Sequence, residues 1–204
     1  MTTEEVSKVS IQKRQIKAVK WAISILLPSL LIFGFNQILI SWNLDRLVSA
    51  VEVSEKTMVS YTDTAKRNRP TSEEVSNDWG MNGGDIDFVS IKDKWIRNTV
   101  VPAALIHAQR LKAERINIES LNLLTFDSGV KQARKEYLAH VQAWEKLLNQ
   151  ISTCEYYLCA LNAHDAANLS ITQTFRSSST EFSRISPLFD FYNIGERVAK
   201  IFEN

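Results

Sequence analysis

The chain has few of the residues that break helices or cross-link a fold. Its 204 residues include only 6 glycines, 4 prolines and 2 cysteines. The low glycine and proline content excludes collagen-like and flexible low-complexity architectures and favours long helices. Two cysteines exclude a disulfide-dense scaffold and a four-cysteine zinc site.

Motifs for catalysis or nucleotide binding are also missing. The sequence has no GxSxG nucleophile turn and no GxxxxGK[ST] phosphate-binding loop. Of the three histidines, only His140 has a carboxylate one helical turn earlier, at Glu136. We expect these two residues to form a solvated pair. The sequence therefore predicts no enzyme, no cofactor and no metal site.

Charge is absent from one long stretch near the N-terminus. The twenty residues between Trp21 and Trp42 are AISILLPSLLIFGFNQILIS. About twenty apolar residues, rising 1.5 Å each, cross a hydrocarbon core about 30 Å thick, and tryptophan suits the headgroup layer at each end. The sequence therefore predicts a single transmembrane helix over residues 21–42, with the lipid bilayer as its first partner.

The two flanks of this helix differ in charge. Residues 1–20 have a net charge of +3, and residues 21–204 have a net charge of −2. Because Lys and Arg accumulate on the cytoplasmic side, residues 1–20 are predicted as a cytoplasmic head and residues 43–204 as an extracytoplasmic domain. A signal peptide cleaved after Ala50 is the alternative. The apolar run exceeds the roughly 7 to 15 residues of a signal peptide, which favours an uncleaved signal anchor.

Small and polar residues form a stripe on the predicted membrane helix. Gly34, Gln37 and Ser41 lie within about 60° of one another at 100° per residue. Such residues allow transmembrane helices to approach closely and to form hydrogen bonds. The stripe is a candidate packing face for another membrane protein, although single-pass anchors also carry such residues without a partner.

Apolar residues recur with helical periodicity through the remaining chain. The clearest pattern runs from Val130 to Ile151, where large apolar residues recur every seven positions. Further helices are predicted over 44–65 as a continuation of the membrane helix, from about 85–88 to 116 with a kink or restart at Pro102, over 165–185, and over 194–202. Residues 67–87 are predicted as an irregular loop, and residues 121–126 as a connector or a short helix.

These segments predict an all-α fold, in which an N-terminal membrane helix precedes an antiparallel bundle of about four main helices. About 160 residues after the anchor suffice for one domain with its own core. An N-terminal anchor followed by a helical bundle resembles the LemA family and the sensing domains of bacterial receptors. No shared motif accompanies that resemblance, so it assigns no role to any residue.

Two further features are candidates for sites. Cys154 and Cys159 could form a disulfide in an oxidising compartment, but only if a turn separates them, because residues five apart on one helix point in different directions. Two buried thiols or a bond to another chain are the alternatives. Trp79 and Met81 lie in the predicted loop, where they either contact a partner or, for Trp79, fold back onto the domain.

Composition and motifs leave two main classes of function. The first is an interaction or accessory module that binds another membrane or envelope protein. The second is a small-molecule-binding or sensing domain that acts through a partner. An exposed apolar patch would favour the first class, and a buried polar cluster would favour the second. An envelope hydrolase is a weaker third class, and the balanced charge argues against a nucleic-acid partner.

Overall fold

The computed structural model describes residues 3–82, 89–123, 128–185 and 190–203, with side chains from Lys20 onward except that of Asn82. These ranges contain no strand, so the predicted all-α class is confirmed within them. The helices are α1 (Thr3–Lys66), α2 (Ser72–Asn82), α3 (Ile91–Trp95), α4 (Val101–Ser120), α5 (Ser128–Ile151), α6 (Tyr157–Arg184) and α7 (Ile194–Phe202). A π-helical segment, Ile96–Val100, joins α3 to α4 without a break.

Helix α1 is the longest element and has two different halves. Its 64 residues correspond to a length of about 96 Å at 1.5 Å per residue. The N-terminal half is long and apolar enough to cross a membrane, and only 6% of its most apolar 18-residue stretch is buried. The core helix of a soluble protein would bury most of such a stretch.

The C-terminal half of α1 is part of the hydrophobic core. Leu44, Leu47, Val48 and Val51 are buried at the spacing of one helical face. The predicted continuation of the N-terminal apolar helix over residues 44–65 is therefore confirmed, since α1 has no break between its two halves.

Helix α5 lies at the centre of the domain and covers the predicted range Val130–Ile151. Its apolar stripe is fully buried at Val130, Tyr137 and Leu148. Helix α5 packs against α4 and α6, α4 packs against α1, and α7 packs against both α1 and α6. Among the described residues, α1 and α6 make almost no direct contact with each other.

Helix α2 occupies part of the region that was predicted as an irregular loop, so the prediction for 67–87 is wrong over Ser72–Asn82; residues 83–87 lie outside the described ranges. A capping box begins this helix. The Thr71 hydroxyl accepts a hydrogen bond from the Glu74 amide (3.2 Å), and Glu74 Oε2 accepts one from the Thr71 amide (2.7 Å). These reciprocal bonds outweigh the poor helix propensity of Gly80, which lies inside α2.

The predicted interruption at Pro102 takes a different form. Pro102 lies in the first turn of α4, directly after the π-helical segment. Proline cannot donate the helical hydrogen bond to the carbonyl one turn earlier, and a wider π turn accommodates that loss. The helix therefore continues through this point. Its predicted start near residues 85–88 lies outside the described ranges.

Helix α6 begins at Tyr157 rather than at the predicted residue 165. Its first amide, that of Tyr157, donates a hydrogen bond to Asp93 Oδ1 at 2.7 Å. Asp93 belongs to α3, so this cap comes from tertiary structure. Helix α7 covers Ile194–Phe202, as predicted. Of the predicted connector 121–126, residues 121–123 are not helical and the rest lie outside the described ranges.

Candidate functional site

A groove lies between α1 and α6, where the two helices fail to meet. Helix α5 forms its floor, α7 closes one end, and its volume is about 1040 Å³. Apolar side chains on the floor and walls are those of Met58, Trp144, Ile171 and Phe175. Charged residues along the groove are Glu52, Glu55, Lys56, Asp63, Lys66, Arg67, Arg197 and Lys200.

The short helix α7 explains why the groove is open only in part. Arg197 fixes α7 to α1 through Asp45 Oδ1 (2.6 Å) and Glu52 Oε1 (2.8 Å). On the other side, the Phe202 ring lies 5.3 Å from the Phe175 ring, between centroids, and so joins α7 to α6. Helix α7 ends at Phe202, and beyond it α1 and α6 have no bridging element in the described residues.

A cluster of buried polar groups forms the base of the groove. The Tyr137 hydroxyl donates to Glu55 Oε1 at 3.0 Å and also lies 3.2 Å from the Val51 carbonyl oxygen. His140 Nε2 lies 3.8 Å from Glu55 Oε1, and His140 Nδ1 lies 3.1 Å from Thr174 Oγ1. The three helices α1, α5 and α6 therefore each contribute a hydrogen-bonding side chain to one cluster.

Burial shifts the pKa values of the two titratable groups of this cluster in opposite senses. Desolvation raises the pKa of Glu55 to about 7, although the hydrogen bond from Tyr137 partly opposes the shift. Desolvation also lowers the pKa of His140 to about 4. At neutral pH the imidazole is therefore uncharged, and the Glu55 carboxyl titrates close to neutrality instead of being fully ionised. Such a cluster can both donate and accept hydrogen bonds.

The geometry of the cluster is unsuited to nucleophilic catalysis. The cluster has the order of groups in a catalytic triad: the hydroxyl of Thr174, the imidazole of His140 and the carboxyl of Glu55. The Thr174 hydroxyl, however, donates its hydrogen bond to the Ser170 carbonyl oxygen at 2.8 Å. A histidine with a pKa of about 4 is a weak general base at neutral pH. Thr174 also does not line the groove.

The rim of the groove has an excess of positive charge. Lys56, Lys66 and Arg67 are exposed and form no ion pair within the described part of the chain. Of the carboxylates, Glu52 is held by Arg197, whose hydrogen bond lowers the Glu52 pKa. Asp63 is exposed beside the three cations. An anionic group is therefore favoured at this end of the groove.

A second set of buried polar atoms lies between α1 and α4, away from the groove. Glu114 Oε1 accepts a hydrogen bond from the Thr57 hydroxyl at 2.7 Å, while Glu114 Oε2 and His107 Nδ1 are buried without a partner. Burial raises the pKa of Glu114 and lowers that of His107. The Tyr61 ring packs edge-on against both His107 and Trp144.

The structure places the three residues of the predicted membrane stripe in different environments. Gly34 is half-buried, and a Cβ added to it would meet no atom within 4 Å. Gln37 is half-buried, whereas Ser41 is fully buried and its hydroxyl has no hydrogen-bond partner. Ser41 is covered by the chain itself, so the face open to another helix is narrower than the sequence suggests.

Cys154 and Cys159 form a disulfide, with their Cα atoms 5.5 Å apart. The turn that such a bond needs is present, because α5 ends at Ile151 and α6 begins at Tyr157. The disulfide therefore joins the turn after α5, which contains Cys154, to the first turn of α6, which contains Cys159.

Trp79 and Met81 lie near the end of α2 rather than in a loop. Their side chains are 67% and 85% exposed, respectively. Among the described elements, α2 packs mainly against the short helix α3, and both side chains lie at the periphery of the molecule.

The predicted solvated pair of Glu136 and His140 is wrong. His140 is buried, and Glu136 instead accepts hydrogen bonds from Gln132 and Ser177, both at 2.8 Å. The sequence did contain a signal for burial, because His140 lies three residues after Tyr137 and one before Val141, both on the apolar stripe of α5. Glu55 had a comparable signal, because it lies four residues after Val51 and three before Met58, both on the buried face of α1.

Among the described residues, no three His, Cys, Asp or Glu side chains are grouped so that they could hold a metal ion. The groove thus offers apolar contact, hydrogen bonds and positive charge. No protein-family model matches the chain, and the comparisons found no similar curated protein and no similar solved structure.

Proposed function

We propose that this protein is a membrane-anchored binding domain that holds an amphipathic anionic molecule in the groove between α1 and α6. The observation that carries the proposal is the polar cluster of Glu55, Tyr137 and His140, which is buried in the domain yet opens into that groove. Concave sites with apolar walls and a few convergent polar groups are the usual form of small-molecule sites.

Each part of the groove matches one part of such a ligand. The apolar body contacts Trp144 and Phe175, and the acidic group lies near Lys66 and Arg67. A hydroxyl or carbonyl on the body bonds the Glu55 carboxyl. Binding is favoured over catalysis because the imidazole of His140 is too weak a base to activate a nucleophile.

In this proposal the N-terminal half of α1 crosses the membrane once, and the rest of the chain forms an antiparallel bundle on the extracytoplasmic side. The support for this orientation is the positive charge of residues 1–20. An oxidising compartment also suits the disulfide between Cys154 and Cys159. The antiparallel arrangement is supported by the hydrogen bond that Arg46 of α1 donates to the carbonyl oxygen of Asn122, two residues after the end of α4.

The binding proposal is tested with 2-naphthoate, a water-soluble anion with an aromatic body. Calorimetry on the full chain in nanodiscs, with empty nanodiscs subtracted, should show binding. Lys66→Glu/Arg67→Glu should weaken the affinity about tenfold, which equals about 1.4 kcal/mol. Lys112→Glu, on an exposed position of α4 outside the groove, is the charge control and should leave the affinity unchanged.

A steric pair of variants tests the location of the site. Thr172 lines the groove, whereas the neighbouring Gln173 is exposed and does not. Thr172→Trp should abolish binding of 2-naphthoate, and Gln173→Trp should preserve it. Equal binding by both variants would place the anion elsewhere and overturn the proposal.

A second candidate function is an accessory module that binds another membrane or envelope protein. Leu158, Leu161 and Leu169 are exposed, and their spacing places them on one face of α6. Within the membrane, Gly34 leaves room for a close-packed helix. Trp79 and Met81 are a further exposed apolar pair.

Crosslinking in intact cells, followed by affinity purification and mass spectrometry, tests this second function. A stoichiometric partner that is lost in Gly34→Leu would bind through the membrane helix, and one that is lost in Leu161→Glu would bind through α6. A Cβ added to Gly34 would meet no atom of the chain within 4 Å, and an unchanged circular dichroism spectrum of Gly34→Leu would exclude a folding defect as the cause of a lost partner. Recovery of the protein alone would argue against an accessory module.

A further inference from the structure

Burial along α1 begins before the apolar segment ends. Residues 21–33 are exposed, but Asn36 and Gln37 are half-buried, and Ile40 and Ser41 are fully buried. From Asn36 to Trp42 the helix rises about 9 Å at 1.5 Å per residue. The domain therefore covers the last turns of the very segment whose composition suits the bilayer.

Two exposed aromatic residues lie at the same end of the domain. Phe191 and Tyr192 are 64% and 40% exposed. They lie between Asp190, which accepts hydrogen bonds from the Ile194 and Gly195 amides (2.7 and 3.1 Å), and the start of α7. Ile194 is itself buried, so the segment that carries the two rings is fixed to the domain.

The ion pairs of α7 set the level of these rings along α1. Arg197, in the first turn of α7, binds Asp45 of α1 at 2.6 Å. Helix α7 runs from there away from the apolar segment, because Lys200 and Ile201 line the groove beside the later residues of α1. Phe191 and Tyr192 precede Arg197 and so lie at the end of α7 nearer the apolar segment. Trp42 lies three residues before Asp45, and the Arg46 guanidinium lies 4.9 Å from the centre of its ring.

We infer that the base of the domain is seated in the lipid headgroup layer, with Phe191 and Tyr192 as its contacts with the bilayer. The partner of this surface is the same membrane that α1 crosses, so the inference rests on the proposed anchoring but not on ligand binding. A headgroup layer is roughly 5–7 Å deep on each side, which is comparable to the covered length of α1. Tyrosine and tryptophan, which have an apolar ring with one polar end, and arginine are the side chains that this layer favours, as at Tyr192, Trp42 and Arg46; Phe191 adds an apolar ring beside Tyr192.

Site-directed spin labelling of the full chain in nanodiscs tests whether Phe191 and Tyr192 contact the bilayer. Because both native cysteines form a disulfide, a single new cysteine takes the label: Phe191→Cys at the seat, Leu27→Cys in the apolar half of α1, and Leu169→Cys on α6. All three positions are highly exposed, so the changes should leave the fold intact. Power saturation with oxygen and with a water-soluble nickel complex reports the depth of each label.

The expected order of depth is Leu27 deepest, Phe191 at the level of the lipid phosphates, and Leu169 in water. If the nickel complex reached the Phe191 label as easily as the Leu169 label while the Leu27 label stayed deep, the proposed contact of Phe191 and Tyr192 with the bilayer would be wrong. The membrane anchor would be unaffected by that result. A Leu27 label in water would overturn the anchor as well. The unmodified chain, treated with the same reagent, measures background labelling.

Discussion

Tyr137 joins three helices through one side chain. Its ring is completely buried in α5, and its hydroxyl reaches Glu55 and the Val51 carbonyl of α1. A ring edge also faces Phe182 of α6, with centroids 6.4 Å apart. Because the Tyr137 hydroxyl is buried, no water molecule would take its place as a hydrogen-bond partner if it were removed.

Tyr137→Phe should therefore lower the free energy of unfolding by about 1–2 kcal/mol, since it leaves the Glu55 carboxyl without its donor. Urea denaturation followed by circular dichroism measures the change. Tyr156→Phe, at an exposed position, is the matched control and should have no effect. An unchanged stability in Tyr137→Phe would show that the Glu55 carboxyl is solvated.

Glu55 and His140 should contribute opposite pH dependences to stability. The folded pKa of Glu55 is raised to about 7, so its contribution is full below pH 4.5 and is lost as the pH rises toward 7. The folded pKa of His140 is lowered to about 4, so unfolding takes up a proton between pH 4 and 6.5, and its contribution grows as the pH rises. The two trends oppose each other across the same range.

Single variants should separate the two trends. Glu55→Gln leaves the histidine, so unfolding free energy should rise from pH 4 to 6.5, at up to about 1.4 kcal/mol per pH unit. His140→Gln leaves the carboxyl, so unfolding free energy should fall from pH 4.5 to 7. Denaturation at several pH values measures each slope, and the parent chain should have the flattest profile. Parallel profiles in all three proteins would contradict the burial of both groups.

At the scale of elements, α2 depends on local interactions more than the other helices do. Thr71 and Glu74 form the reciprocal bonds at its start, and its main packing partner is the short helix α3. Its loss would expose little of the core, because the core residues lie on the other elements.

Thr71→Ala should destabilise α2 by about 1 kcal/mol through loss of the cap. Hydrogen exchange followed by mass spectrometry should show faster exchange over residues 72–82, with no change in the melting temperature of the domain. Ser72→Ala, one residue further on, is the control, because the Ser72 side chain makes no capping bond in the structure. Faster exchange throughout the chain would show that α2 is coupled to the core.

The sequence predicted the elements whose signals are local. The stripe of α5 and the bounds of α7 follow from periodicity. The prediction of an irregular loop over residues 67–87 missed the Thr71-x-x-Glu74 capping box that begins α2. The start of α6 could not be read in the same way, because its cap, Asp93, comes from another helix. The turn at the disulfide was recognised only as a requirement for bonding.

At the scale of the whole molecule, the orientation in the membrane should follow the charge of the two flanks. Met81→Cys, at a highly exposed position, should react with a membrane-impermeant maleimide in intact cells. Ser10→Cys should react only after the cells are opened, because residues 1–20 are predicted to lie in the cytoplasm. The reverse pattern of labelling would invert the topology, and labelling of both would indicate that the membrane is not crossed.

The groove could not be predicted from sequence because it is a gap between elements. It exists because α7 is too short to fill the space between α1 and α6, and that space depends on how every helix packs. Periodicity did identify Trp144 as an inward residue of α5. Nothing in the local sequence indicated that Glu55 and His140 would meet.

The wall of the groove and the N-terminal apolar segment are parts of one unbroken helix, α1. A helix is stiff in torsion, since turning one end about its axis strains every hydrogen bond along it. Any rotation of α1 about its axis at the groove would therefore be carried along the helix as far as Pro28, where one hydrogen bond is missing. The groove wall and the adjoining turns of the apolar segment are thus mechanically coupled, and neither can turn about the helix axis without the other.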